Sequence, residues 1–273
     1  MTQLEGVQPE VMPTTTPQRT LAEEWGMLCA LWRRDLLRLR KEPSRWLGLV
    51  LQPIVFWLML GFGFGSSISL PGTTDGHYLH FFFPGALVML VLFTSIFATM
   101  SVIEDRQSGF LQAVLCAPGS RASMIGGKLL GVVSVTLIQV MLFLIGAPFA
   151  GVELASVNWL SLFGAIVLLS SGLTAANFAI AWRLNSTQAY HALMSIALLP
   201  LWVMSGALFP PRAGWLHTAM LANPLAHGTA AIRLSLAPET TTLTPLGLGA
   251  SFLWLGVFGA VAFVFALRAT RRS

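Results

Sequence analysis

Charged side chains are scarce in this chain: Asp, Glu, Lys and Arg make up only 10% of its 273 residues, while 55% are hydrophobic and the mean hydropathy is +0.73. An ordinary soluble domain carries about 25% charged residues. The chain therefore has too few polar side chains to cover a water-soluble surface. This scarcity excludes the usual soluble enzyme and predicts that lipid covers much of the molecule.

Cysteine and histidine are also rare, which weighs against disulfide and metal chemistry. The two cysteines, Cys29 and Cys116, form no disulfide framework and make no zinc site by themselves. We interpret them as inert, reduced thiols on the cytoplasmic side. The five histidines include no H-x-x-x-H pair, and His77 and His80 have no third ligand nearby in the sequence. No bound metal is expected.

Two further absences concern the source of energy. A nucleotide-binding P-loop is missing, because its nearest approach, 122–129, lacks the first glycine and the hydroxyl after Lys128. Ionisable residues are missing well inside every apolar segment, although an ion-driven carrier usually needs them there. The strongest polar groups in those segments are Gln52, Gln139 and Asn177, which we expect to bond neighbouring helices. The chain is expected to bind no cofactor of its own.

Six apolar segments are what the sequence does contain, and each is near or above the roughly 20 residues that cross a bilayer as a helix. They are 46–66, 83–103, 125–149, 157–182, 189–209 and 245–267. Barrel strands would be about 10 residues long with alternating polarity, which these segments lack. The predicted fold class is an all-α integral membrane protein with six transmembrane helices, in one domain at 46–267.

The flanking segments have different compositions. Residues 1–19 are rich in Pro, Thr, Gln and Glu and are predicted to be a disordered cytoplasmic tail. Residues 20–41 place apolar side chains at steps of three and four with basic residues between them, which predicts an interfacial amphipathic helix. The segment 210–244, interrupted by Pro and Gly, predicts short re-entrant helices before the last span or, alternatively, a folded extracellular cap.

The distribution of basic residues predicts the orientation. With the N-terminus in the cytoplasm, 14 of the 16 Lys and Arg residues fall in inner segments and only Arg212 and Arg233 in outer ones. This predicts a multi-pass protein of the cytoplasmic membrane with both termini in the cytoplasm, where 268–273 forms a short tail. The same clustering at the ends of apolar runs argues against a nucleic-acid partner.

The polar segment 104–121 connects the second and third spans. Its first residues are charged, and an amphipathic turn follows, ended by Pro118 and Gly119. The apolar side of that turn consists of Phe110, Leu111, Val114 and Leu115. A short cytoplasmic helix held between two spans can transmit a push from a docked partner. An ordinary interfacial connection fits the pattern equally well.

Five short motifs occur in a fixed order along the six predicted spans. They are Phe83-Pro84-Gly85, Glu104-Asp105-Arg106 with Gly109, Pro118 with Arg121, Leu208-Phe209-Pro210, and Asn223-Pro224-Leu225 with Arg233. In this order the chain resembles the ABC-2 type transporter permeases, the membrane subunits of ATP-binding cassette exporters. The resemblance runs from about Leu21 to Leu267.

The resemblance implies partners, cofactors and site residues. In that family two permease chains, identical or different, pair with two copies of a separate ATPase subunit, which binds ATP and Mg²⁺. The N-terminal helix and the loop after the second span contact the ATPase. The coupling residues implied are Glu104, Asp105, Arg106, Gly109, Phe110 and Arg121.

The same resemblance places the substrate pathway between two permeases, lined by the second and fifth spans. Substrates of the family include drugs, lipids and lipid-linked or capsular glycans. Apolar, adaptable side chains on those spans are candidates for the pathway wall. They are Phe93, Phe97, Met194 and Met204.

The sequence therefore predicts the permease subunit of an ABC exporter that moves a hydrophobic or amphipathic substrate and has no ATPase site of its own. Three alternatives remain open: a secondary carrier, a membrane scaffold without transport activity, and an intramembrane serine hydrolase. The hydrolase would use Ser205 with His227 as base, although the leading glycine of the G-x-S-G motif is missing.

Overall fold

The computed structural model of the protein describes residues 20–64, 78–209, 215–237 and 246–271. This part is almost entirely helical and contains no β-strand. The predictions for 1–19, and those that fall on 65–77, 210–214, 238–245 and 272–273, lie outside it. The helices are α1 (Leu21–Lys41), α2 (Pro43–Phe64), α3 (Tyr78–Gln107), α4 (Phe110–Cys116), α5 (Arg121–Leu144), α6 (Trp159–Ala181), α7 (Thr187–Trp202), α8 (Trp215–Ala222), α9 (Pro224–Leu236) and α10 (Leu248–Arg271).

Six of the helices, α2, α3, α5, α6, α7 and α10, are long and apolar enough to cross a membrane when α7 is taken with its continuation to Ala207, which confirms the six predicted spans. Most of the helix ends differ from the predicted ones by a few residues, and two of the differences have a clear physical reason. Helix α3 begins at Tyr78 rather than at residue 83, because Tyr78, Phe81 and Phe82 are buried aromatic side chains that pack together. Helix α10 continues past 267 to Arg271, where basic side chains suit a helix C-terminus.

Helix α3 is the centre of the bundle. In its most apolar stretch 78% of the residues are buried inside the chain, compared with 22% in α2 and in α10. Helices α2, α5, α6, α7 and α9 all pack against it. Two of the three polar side chains predicted to bond neighbouring helices bond to α3: Gln139 accepts a hydrogen bond from Thr94 (2.5 Å), and Asn177 donates to Ser95 (3.0 Å). A contact of Gln52 with a neighbouring helix stays a prediction.

Helix α1 begins at a capping box. The Thr20 hydroxyl accepts from the Glu23 amide, and the Glu23 carboxylate accepts from the Thr20 amide. Basic residues in the last turn suit the negative end of the helix dipole. The helix occupies the predicted range, whereas its position in a headgroup layer stays a prediction.

Helices α3 and α4 are joined by a tight turn at Gly109, whose φ of 77° lies in the left-handed region that glycine tolerates. Only Leu111 and Val114 of the predicted apolar side are buried, whereas Phe110 and Leu115 are 37% and 44% exposed. A seven-residue helix buries one narrow stripe, so the other two apolar side chains stay on the surface. We call this end of the bundle the α4 end.

Helices α7, α8 and α9 meet at the opposite end, which we call the α9 end. Helix α7 widens into a π-helical turn at Val203–Ala207, which is interrupted at Gly206 with φ 76°. Side chains from other elements bind its carbonyl groups: Asn223 donates to Leu201 (2.6 Å) and Tyr78 to Leu208 (3.0 Å). Helices α8 and α9 are present where short helices are predicted, and their re-entrant position stays a prediction.

Candidate functional site

Helix α1 lies against the first half of α5, on a strip where α5 has two glycines one helical turn apart. A Cβ atom at Gly127 would lie 2.8 Å from the carbonyl oxygen of Leu28, and one at Gly131 would lie 2.8 Å from Cβ of Asp35. Missing side chains at this spacing allow two helices to approach closely. The sequence 127–131 therefore forms the docking strip for α1.

We expect Gly127→Ala to destabilise the protein by about 1–3 kcal/mol, because the added methyl group must push the α1 backbone away. The matched control is Gly26→Ala on α1, where a Cβ atom would meet nothing within 4 Å. That change should be neutral or slightly stabilising. Thermal unfolding of the two variants in detergent checks the pair, and equal melting temperatures would contradict the tight contact.

Charged side chains cross-link α1 to α3 and α5. One oxygen of Asp105, at the end of α3, accepts from both Arg34 and Arg38 of α1, the latter at 2.9 Å. Lys128 of α5 donates to Asp35 of α1 and to Ser101 of α3, both at 2.8 Å. Asp35, Asp105 and Lys128 are largely shielded from solvent, whereas Arg34 and Arg38 are partly exposed. We call the set of Arg34, Asp35, Arg38, Ser101, Asp105 and Lys128 the ion cluster.

Helix α1 is also fixed at its first turn. The Glu24 carboxylate accepts from the backbone amide of Ser120 (3.1 Å) and from the hydroxyls of Ser120 and Ser123. An acidic side chain is well placed there, because Ser120 caps the positive N-terminal end of α5. Helix α1 is thus attached to α5 near both of its ends.

Two arginines extend the network to the other spans. Arg106 donates to the carbonyl of Trp182 and to the side chain of Asn185 (3.2 Å), in the connection between α6 and α7. Arg121 donates to the carbonyl of Thr270 at the end of α10. The ends of α3 and α5 that flank α4 are therefore tied by side chains to the α6–α7 connection and to α10.

A groove of about 520 Å³ runs between α1 and α4 at the α4 end. The guanidinium group of Arg34 lies 3.8 Å from the centre of the Phe110 ring, so one side chain joins the ion cluster to the wall of the groove. The remaining walls are mostly small or apolar. They include Gly26, Met27, Ala30, Leu31, Ala113, Val114, Ala117 and Pro118.

Arg233 of α9 is the central polar side chain at the α9 end. It is 4% exposed and donates to the carbonyls of Gly206 (3.0 Å) and Phe81 (3.4 Å), and its guanidinium group lies 4.4 Å from the centre of the Phe81 ring. Burial lowers its pKa to about 10, which leaves it charged at neutral pH. Arg233 therefore connects α9 to the broken end of α7 and to the start of α3.

The ABC-2 type transporter family matches residues 27–236, from the first half of α1 to the end of α9. The chain belongs to the ABC-2 type transporter family. It is a permease and a multi-pass membrane protein, and permeases of this family work with an ATP-binding cassette ATPase subunit.

Two relatives are similar along most of the permease. A putative transport permease of Cyanophora paradoxa is 26% identical over 250 residues, which is 87% of this chain and 86% of the relative. A daunorubicin resistance ABC transporter permease protein of Streptomyces coeruleorubidus is 25% identical over 218 residues, 76% of this chain and 73% of the relative.

The predicted coupling residues of the permease lie close to one another at the α4 end. Asp105 belongs to the ion cluster, Arg106 and Arg121 bind the α6–α7 connection and α10, and Phe110 lines the groove. Gly109 forms the turn before α4, and Glu104 is half-buried on the last turn of α3. Their roles in coupling stay a prediction.

Sequence reasoning missed the partners that α1 contributes. Glu24, Arg34, Asp35 and Arg38 share the helix face that carries Met27, Leu28 and Leu31, which pack on α5 and α4. The mixed signs at Arg34, Asp35 and Arg38 were the available signal, because a helix face that only binds headgroups needs no carboxylate.

The predicted pathway residues lie along α3 and α7. Phe93 and Phe97 stack with ring centres 6.4 Å apart, and Phe97 contacts the ring of His191 on α7 at 5.5 Å. Met194 is buried within the chain, whereas Met204 is half-buried in the wide turn after α7. The two predicted spans are therefore neighbours, and which of these side chains face a substrate stays a prediction.

The arrangement around Ser205 does not favour the serine hydrolase. The Ser205 hydroxyl donates to the carbonyl of Trp202 (2.6 Å) and accepts from Thr229 (3.2 Å). Nε2 of His227 faces the carbonyl of Leu221 instead, at 2.9 Å. Within the described residues, no group of three His, Cys, Asp or Glu side chains is placed to hold a metal ion.

Proposed function

We propose that the permease is the membrane subunit of an ATP-driven exporter that moves a hydrophobic or amphipathic substrate out across the cytoplasmic membrane. The groove between α1 and α4 is the observation that supports this proposal most directly, because both helices that form its walls are bonded to the spans. A partner seated in the groove contacts Phe110 and Arg34, and Arg34 is bonded to Asp105 at the end of α3.

Movement of α4 has three routes into the bundle. The first runs through the ion cluster into α3 and α5, the second through Arg106 into α6 and α7, and the third through Arg121 into α10. Charge-assisted hydrogen bonds are short and directional. A displacement of α4 is therefore transmitted to the helices that these bonds attach to it. This supports alternating access driven from the α4 end.

The α4 end is proposed to face the cytoplasm, with both termini on that side. The 14 to 2 division of basic residues supports this orientation. Helix α1 and the C-terminal end of α10 also both lie at the α4 end. An ATPase in the cytoplasm can reach the groove only in this orientation.

The partners proposed are two copies of an ATP-binding cassette ATPase and a second permease chain, identical or different. ATP and Mg²⁺ bind to the ATPase subunits, because the permease has no P-loop. Large apolar side chains on α2 and α7 are exposed and available to lipid or a second permease. They are Leu51, Phe56, Met59 and Phe62 on α2 and Leu193, Ile196 and Leu199 on α7.

The substrate class rests on two observations. The relative from Streptomyces coeruleorubidus is a daunorubicin resistance permease, and the α3–α7 contact of this chain is aromatic at Phe93 and Phe97. Stacked rings and a half-buried methionine suit a flat or flexible apolar cargo. Drugs, lipids and lipid-linked glycans all fit this description.

The groove is tested by Ala113→Arg, which places a long charged side chain on its wall. When the tagged variant is purified from its native membrane, we expect about tenfold less ATPase to be recovered with it than with the wild type. This corresponds to about 1.4 kcal/mol of binding free energy. Gln112→Arg is the matched control, because residue 112 is exposed on the same helix but does not line the groove.

Two results would contradict the proposal. Equal recovery of the ATPase with both variants would remove the groove as the docking site. Nucleotide hydrolysis or uphill transport by the permease alone in liposomes would remove the need for a separate ATPase altogether.

A further inference from the structure

A small cavity lies at the α9 end, between the start of α3, the last turn of α9 and the connection from α5 to α6. It encloses about 10 Å³, which is the space of one water molecule or one small ion. We call it the Arg233 pocket, after the charged side chain in its wall. The other walls are formed by His80, Phe81, Pro84, Val152, Leu236 and Ala237.

Arg233 has hydrogen-bond donors that no acceptor of the described residues uses. Both of its hydrogen bonds, to the carbonyls of Gly206 and Phe81, come from Nη2. Nε is buried without a partner, and Nη1 donates to no atom of the described residues. A guanidinium group carries five N–H donors, so those of Nε and Nη1 remain for a ligand.

The charge of Arg233 also lacks a counter-ion among the described residues. None of their carboxylates forms a salt bridge with it. Glu153, which follows Val152 of the pocket wall, is exposed to solvent instead. The two carbonyls and the Phe81 ring offer only partial negative charges. Because a buried charge is costly unless it is paired, an anion in the pocket would stabilise Arg233.

Two helix ends meet at the pocket and have opposite effects on an anion. His80 and Phe81 belong to the first turn of α3, whose amide groups form the positive end of that helix. Leu236 and Ala237 lie at the negative end of α9, which is equivalent to about half a unit charge. The full charge of Arg233 in the same last turn outweighs it, so the pocket as a whole favours an anion.

We propose that the Arg233 pocket binds one small monovalent anion of the size of chloride. Arg233 provides the unused donors and the balancing charge, and the first turn of α3 provides a favourable dipole. A phosphate ester or an organic acid is too large for a space of this volume. Water fits the pocket but leaves the charge of Arg233 without a counter-ion.

The bound anion has a structural consequence for the α9 end. Arg233 already connects α9 to the start of α3 and to the broken end of α7. An ion at its unused donors holds the guanidinium group from a further side and so strengthens these connections. The stability of the permease should therefore depend on which anion is present, and this dependence requires neither an ATPase nor a cargo.

The proposal is tested by thermal unfolding of the purified full chain in detergent. Gluconate is too large for the pocket. Replacing it with chloride at a constant ionic strength of about 0.15 M should raise the Tm of the wild type by about 2–4 °C, as expected for an ion present at about ten times its Kd. Ala237→Leu fills the pocket and Arg233→Gln removes its charge, so both variants should lose this shift. The shift compares two salts within one variant, so a lower Tm of the variant itself does not affect it.

Two matched controls should keep the shift. Ala222→Leu enlarges an exposed side chain at the end of α8, and Arg183→Gln removes an exposed charge at the α4 end, both outside the pocket. An equal Tm of the wild type in the two salts would show that water fills the pocket and would overturn the proposal. A shift that remains in either pocket variant would place the anion elsewhere and overturn it as well.

Discussion

Replacing Arg233 with leucine is expected to lower the free energy of unfolding by about 2–3 kcal/mol and the Tm by about 5–10 °C. The substitution removes a charged donor from two buried carbonyls, at Gly206 and Phe81, and leaves them without that partner. It also removes the contact between a cation and the Phe81 ring. Thermal unfolding in detergent, followed by tryptophan fluorescence, measures the effect.

Two comparisons separate the geometry of Arg233 from its charge. Arg233→Lys keeps the charge but reaches fewer acceptors than a planar guanidinium group, so its Tm should lie between those of the wild type and the leucine variant. Arg183→Leu removes an exposed arginine at the other end of the bundle and should leave the Tm unchanged. A leucine variant at position 233 as stable as the wild type would show that Arg233 does not hold the end of α7.

Replacing Asp105 with asparagine is expected to release α1 from α3. A neutral amide does not balance Arg34 and Arg38, which are both bonded to the one carboxylate oxygen. The arginines are partly exposed, so the expected loss is about 1–2 kcal/mol, below the 3–5 kcal/mol of a fully buried pair. The larger consequence concerns the position of α1. Without its bonds to Asp105, α1 is no longer held to the end of α3 from which α4 continues, so the two walls of the groove can move apart.

The two native cysteines allow the position of α1 relative to α4 to be measured. Cys29 on α1 and Cys116 on α4 are both exposed, so each can carry a spin label without further substitution. Pulsed electron spin resonance should give one narrow distance between the labels in the wild type and a broad distribution in Asp105→Asn. Glu153→Gln, which removes an exposed carboxylate at the α9 end, is the control. A distribution in Asp105→Asn as narrow as the control would show that Asp105 does not position α1.

The spans could be predicted from the sequence because the bilayer imposes its own length on them. A helix that crosses hydrocarbon needs a long apolar run, and such runs are visible without knowledge of their neighbours. The same reasoning placed Gln139 and Asn177 in contacts between helices, since a strong polar group inside a span needs a partner. These features depend on local composition alone.

The ion cluster could not be predicted in the same way. Arg34 and Asp105 are far apart in the sequence, and nothing local indicates which carboxylate an arginine will meet. The segment 122–129, which contains Gly127, resembles a nucleotide-binding loop too little to be one, and Gly131 lies outside it. The packing role of both glycines requires knowledge that α1 folds back onto α5. Contacts of this kind depend on the path of the chain, not on composition.

The broken end of α7 has a consequence for its mobility. From Val203 onward the turn is wide and kinked, so side chains of Tyr78, Asn223 and Arg233 supply hydrogen bonds that a regular ladder would otherwise provide. Such a segment can detach when a few side chains rotate, and the helix below need not unwind. Amide protons after Val203 should therefore exchange with solvent long before those in the middle of α7. The end of α7 would then open locally while the rest of the helix stays folded.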